Sequence, residues 1–113
     1  MKNIDFNNKT FSLITNSENG EVDETTIFEY EQKGDLVTAN YYGGTIKYGK
    51  IIAVLKDDKL DMLYQCLTVD NELKAGKAIA HIIVTPEDKI RLKLHWHWLD
   101  DENLSGISEY LEN

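Results

Sequence analysis

From Ile90 to Leu99 the chain alternates between apolar and polar residues almost without fault, and this stretch limits the fold more than any other. Ile90, Leu92, Leu94, Trp96 and Trp98 share one parity, and Arg91, Lys93, His95 and His97 share the other. Successive side chains of an extended strand point to opposite sides, so the pattern predicts a half-buried β-strand with a strongly apolar inner face. The same period recurs along the chain. Strands are expected at 10–15, 25–32, 36–42, 45–55, 60–68 and 73–85, with apolar positions of one parity in most of them.

Short turns separate these segments. Gly43-Gly44 is a strong hairpin signal, because glycine adopts positive φ at no steric cost. Lys33-Gly34-Asp35, Lys56-Asp57-Asp58-Lys59 and Pro86-Glu87-Asp88-Lys89 serve similarly. Gly49 and Gly76 interrupt long strands and suggest bulges or barrel corners, which leaves open whether Ile51 and Ala53 or Ile52 and Val54 face inward. The last segment, 107–112, fits either helical spacing or a closing strand. The strand is favoured, because an open sheet would leave an unpaired edge.

Connections this short force antiparallel neighbours, and no segment with a helical period is long enough to cross between parallel strands. The expected fold is therefore all-β, one domain over 1–113. It is an antiparallel meander barrel of about eight strands, calycin-like or avidin-like in appearance, with no substantial helix.

Composition narrows the function. Twenty acids against twelve bases give a net charge of −8. Such a surface repels phosphate backbones and anionic membranes, so neither nucleic acid nor a membrane is an expected partner, whereas a cationic ligand is mildly favoured. Cys66 is the single cysteine, which rules out an internal disulfide and a thiolate cluster. Residues 1–8 lack the apolar run of a signal peptide, so a cytoplasmic location is expected.

The motifs Asn19-Gly20-Glu21-Val22, Phe28-Glu29-Tyr30, Tyr42-Gly43-Gly44-Thr45-Ile46, Leu60-Asp61-Met62-Leu63-Tyr64-Gln65, Arg91-Leu92 with Trp96-His97-Trp98, and Ser105-Gly106 carry a resemblance. The chain is similar, from about Thr10 to Glu109, to a small uncharacterised bacterial β-barrel family whose members are often labelled N-acetylglutamate synthase. That label would imply an acetyltransferase. Such an enzyme needs a glycine-rich turn opening a helix, whose amides hold the pyrophosphate of acetyl-CoA. Here Gly43-Gly44 leads into a strand, and the acetyltransferase reading is disfavoured.

Candidate site residues follow from the barrel. Tyr30, Tyr48, Met62, Tyr64, Trp96 and Trp98 are expected to line its interior, with Asn40 as a polar contact and Phe28 among the aromatics; the same rings would equally serve as core. Thr38, Tyr42 and Gln65 need partners only if they point inward. His95 and His97, with His81 on the preceding strand, have metal-ligand spacing, but they share a face with Arg91 and Lys93, and no metal is expected. Glu21 belongs to a loop that would overhang the barrel mouth. No nucleophile–base arrangement is identifiable, and no cofactor is called for. The expected function is binding of a small apolar or aromatic molecule inside the barrel. The alternative is a non-enzymatic homo-oligomeric or partner-binding module, the protein being a monomer or homodimer.

Overall fold

The structure, a computed structural model, describes residues 4–16, 22–99 and 104–113. The alternating segments form eight strands: β1 (Lys9–Asn16), β2 (Ile27–Lys33), β3 (Leu36–Gly43), β4 (Ile46–Lys56), β5 (Lys59–Thr68), β6 (Leu73–Val84), β7 (Ile90–Trp98) and β8 (Ser105–Glu112). Each pairs antiparallel with the next, and β8 pairs with β1, so the sheet closes as an up-and-down barrel. The final segment is therefore the closing strand, as its position in a meander requires. Among the described residues no helix is present.

The two long strands carry their glycines for a reason other than bulging. Gly49 pairs with Tyr41, and Gly76 pairs with Tyr64. A Cβ on Gly49 would come within 2.3 Å of the Tyr41 ring, and one on Gly76 within 2.3 Å of the Tyr64 ring and 2.6 Å of the His97 carbonyl oxygen. Each glycine leaves room for a tyrosine ring to lie flat across the inner wall. The register shift in β4 falls earlier, between Ile46 and Tyr48, so Ile51 and Ala53 face inward and Ile52 and Val54 outward. A second shift, between Leu13 and Thr15 in β1, leaves Ile14 exposed.

The interior divides into two halves. At the end where the chain enters, Phe6 folds under the barrel and is fully buried. Its ring lies 6.0 Å from that of Phe11 and 5.4 Å from that of Tyr30. The backbone around it is tied down from both sides. The Phe6 amide donates to Gln32 Oε1 at 2.9 Å, and the Gln32 amide donates to Asn7 Oδ1 at 2.8 Å. With Val37, Leu60, Ala80 and Leu92 filling the same level, this end is closed.

Phe6→Ala removes the centre of that base. Truncating a buried phenylalanine costs about 3 kcal/mol or more, so the urea midpoint of this variant is expected to fall sharply, with the m-value little changed.

Candidate functional site

Beyond the filled base, inward side chains thin out towards the opposite end, where 17–26, 44–45, 69–72 and 99–104 connect the strands. A cavity of about 50 Å³, counted as space open to the centre of a water molecule, lies in this half of the barrel. A water needs roughly 10–15 Å³ on that measure, so the cavity holds the equivalent of a few waters. Val22 and Trp98 stand at its rim, and Met62 and Leu94 lie deeper.

The wall is an aromatic girdle. Phe28 stacks on Tyr41 at 4.9 Å between centroids and meets Tyr110 edge-on at 4.8 Å. Trp98 meets Tyr64 edge-on at 5.6 Å and lies 5.8 Å from Trp96. Such offset and edge-to-face contacts fix each ring against its neighbours.

The polar atoms of the girdle are turned back into the protein. The Tyr41 hydroxyl donates to the Gln65 carbonyl at 3.1 Å, and the Tyr64 hydroxyl to the His97 carbonyl at 3.3 Å. Trp96 Nε1–H donates to Ser108 Oγ at 2.7 Å; Ser108 in turn donates to Asn16 Oδ1 at 2.5 Å, and Asn16 Nδ2 donates to the Val22 carbonyl at 3.0 Å. This relay runs from the inner wall across β8 and β1 to the rim. No buried side-chain nitrogen or oxygen among the described residues lacks a partner. The cavity therefore offers apolar ring faces and edges rather than open hydrogen-bonding groups.

Burial raises the pKa of the interior phenols well above the usual tyrosine value. It is the main cause at Tyr41, reinforced by the neighbouring Cys66 thiol, and at Tyr64, reinforced by Tyr110. It also dominates at Tyr110, against an opposing hydrogen bond with Ser108, and at Tyr30 in the base. These groups are neutral hydrogen-bond donors across the physiological range, not bases.

Of the residues expected at an internal site, Met62, Tyr64, Trp96 and Trp98 meet at this cavity. Three do not. Tyr30 points inward but packs in the closed base against Phe6 and Phe11. Asn40 and Tyr48 stand on outward parities of β3 and β4, with the Tyr48 hydroxyl 3.4 Å from Asn40 Oδ1. Asn40 borders an outer polar groove of about 410 Å³ beside Glu29 and Glu31, and Tyr48 an outer hollow of about 360 Å³ beside Leu67 and Leu73. The register shift before Tyr48 puts it on that side. Thr38, Tyr42 and Gln65 also avoid the interior, so they need no partner within the barrel. Glu21 lies outside the described residues.

Tyr41, Cys66, Ser108 and Tyr110 were missed as wall residues. Tyr41 shares the parity of Val37 and Ala39, and that signal was available. Ser108 and Tyr110 were hidden because β8 turns its aliphatic Ile107 outward and its serine inward.

His81 and His95 make an edge-to-face ring contact at 5.4 Å on the outer wall, and His81 pairs across the ladder with Lys93. Among the described residues no group of three or more His, Cys, Asp or Glu side chains is arranged to hold a metal ion.

A closed eight-stranded antiparallel barrel with a small aromatic-walled cavity at one end defines the class of protein. A family model described as Avidin-like protein matches residues 4–113, and the chain belongs to that family. Neither a curated protein nor a solved structure matches it.

Two outcomes test this arrangement. Ser108→Ala leaves the Trp96 N–H and Asn16 Oδ1 without their shared partner, at a cost of about 1–3 kcal/mol in chemical denaturation. In alkaline difference absorbance, four of the six tyrosines (Tyr30, Tyr41, Tyr64 and Tyr110) are expected to ionise only as the barrel unfolds. The sign follows from linkage: a phenol whose pKa is higher folded than unfolded keeps its proton longer in the native state. Stability is therefore undiminished below about pH 10, the unfolded value, and falls as the pH rises above it.

Proposed function

We propose that the protein binds a small molecule with an apolar or aromatic portion in the upper half of the barrel, the base acting as a fixed floor. The observation that carries this reading is the cavity itself. Packed interiors rarely leave voids larger than a water molecule, and this one lies where an eight-stranded barrel admits a single small ligand. Its size favours a slender apolar group over a bulky ring system. Because the hydroxyls of Tyr41, Tyr64 and Ser108 already have partners, affinity would come from ring contacts and desolvation more than from new hydrogen bonds. Neutral phenols and the inward thiol of Cys66 suit a binding role better than proton transfer. The reading takes the protein as non-enzymatic, cytoplasmic and without a cofactor.

A second reading, a homo-oligomeric or partner-binding module, draws support from the outer wall. Ile52 and Leu63 are cross-strand partners exposed by 58% and 52%, and Ile79 nearby is exposed by 47%. Neighbouring exposed aliphatics on one sheet face are a common mark of association.

Xenon and 1-butanol discriminate. Saturable NMR shifts are expected at the indole N–H of Trp96 and Trp98 and at the Met62 methyl, and Cys66→Phe, which places a ring in the void, is expected to abolish them. Unshifted signals, or shifts that persist in the filled variant, would count against an internal site. Elution that stays monomeric over a wide concentration range would remove the second reading.

A further inference from the structure

The net charge of −8 conceals a division around the barrel. The five neighbouring strands β3 to β7 hold eight of the chain's twelve lysines and arginines and one of its twenty acids, Asp61. The other three, β8, β1 and β2, hold four acids and two lysines. Two of the eight cations are already engaged. Arg91 pairs with Glu109 at 2.9 Å, and Lys74 Nζ lies 5.6 Å from the centroid of the Trp98 ring. Lys47, Lys50 and Lys77 are exposed. The molecule measures 25 × 24 Å across its long axis. Charges in water are screened over about 8 Å at physiological salt, so the acids of the far wall do not cancel the lysines of this one.

The same wall carries apolar side chains that the fold leaves uncovered. Tyr48, Leu67 and Leu73 form one cross-strand run over β4, β5 and β6, and Ile52 and Leu63 form another that ends on Lys77. Lys50, with Gln65 and Ala75, lies between the two runs. Tyr48 is exposed by 52% and Leu73 by 85%, and both border the outer hollow of about 360 Å³. Apolar groups interleaved with lysines define what can cover them. A second copy, face to face, would set lysines against lysines, and juxtaposed like charges disfavour a partner. An anionic bilayer is broad and flat. It would meet the exposed Asp57 and Asp58 at one end of the wall and the exposed Asp70 and Glu72 at the other. A narrow segment crossing β4, β5 and β6 stays between these acids.

We propose that the outer wall of β4, β5 and β6 binds an acidic, amphipathic segment of another protein. Its aliphatic side chains enter the hollow beside Tyr48 and Leu73 and cover Ile52 and Leu63, and its carboxylates meet Lys50 and Lys77. Apolar contact supplies most of the affinity, and the lysines select the sign of the partner's charge. Asp61, paired across the ladders with Val54 and Ile79, sets the lower edge of the footprint. The surface is separate from the cavity, and the inference rests neither on interior binding nor on self-association.

Three labelled synthetic peptides, titrated by fluorescence anisotropy, test this surface. One has leucine at helical spacing and glutamate at its other positions, the second has lysine for glutamate, and the third has serine for leucine. The glutamate–leucine peptide is expected to bind about tenfold tighter than either control. Its advantage over the lysine peptide is expected to shrink at 1 M salt, where the screening length is about 3 Å. Lys50→Glu with Lys77→Glu is expected to reverse the preference in favour of the lysine–leucine peptide, and Ile52→Ser with Leu63→Ser to weaken both leucine peptides. Both variants alter exposed positions and are expected to keep the wild-type circular dichroism. Equal binding of the glutamate and lysine peptides, a preference that the lysine variant does not reverse, or no binding by any peptide overturns the inference. So does stronger binding to vesicles of equal parts phosphatidylcholine and phosphatidylserine, which would make the partner a lipid surface. Self-association that Leu63→Asp abolishes would place a second copy on the wall and overturn it too. None of these outcomes bears on the cavity.

Discussion

Closure between β1 and β8 is the constraint on which the rest of the molecule depends. Once that ladder forms, the perimeter is set by eight strands, and every inward side chain must be accommodated in a cross-section that cannot widen. The chain fills this space unevenly. Phe6, Phe11 and Tyr30 pack the base, while near the opposite end the rings line the wall and leave the centre open. The same closure lets the tyrosines lie flat, because Gly49 and Gly76 give up their side-chain volume to Tyr41 and Tyr64. Cavity and floor are thus two outcomes of packing one fixed cylinder.

Packing and hydrogen bonding divide the work along the barrel wall. The wall is chemically quiet: its phenols stay neutral through burial, and the hydroxyls of Tyr41 and Tyr64 donate to backbone carbonyls that belong to the ladders. The relay through Trp96, Ser108 and Asn16 ties the inner wall to the chain near Val22, so the aromatic girdle and the rim are mechanically joined. A wall of this kind presents ring faces and shape rather than charge.

Much of the architecture was legible in the sequence because a period of two is hard to mistake over nine residues with two tryptophans on one face. Strand number and four cavity residues on β5 and β7 followed from parity, antiparallel order from the short connections, and the closing role of 107–112 from the unpaired edge that an open sheet would leave. The misplaced residues each have a local cause. Tyr48 follows a register shift that reverses its side, and a one-residue shift moves a side chain to the opposite face. Asn40 sits on the polar parity of β3, opposite Val37, Ala39 and Tyr41. Tyr30 was given the right side and the wrong height, since alternation says nothing of depth along the axis.

What the sequence determined by itself was therefore the fold class and the inward set of its most regular strands, because alternation encodes sidedness directly. Only the tertiary structure decided where along the axis each inward ring lies, that Phe6 closes one end, that the glycines make room for tyrosines rather than bulges, and that Ser108 rather than Ile107 faces the interior. Those outcomes arise from stagger between strands and from contacts such as Ser108 to Asn16, 92 residues apart in the chain, which no local pattern records.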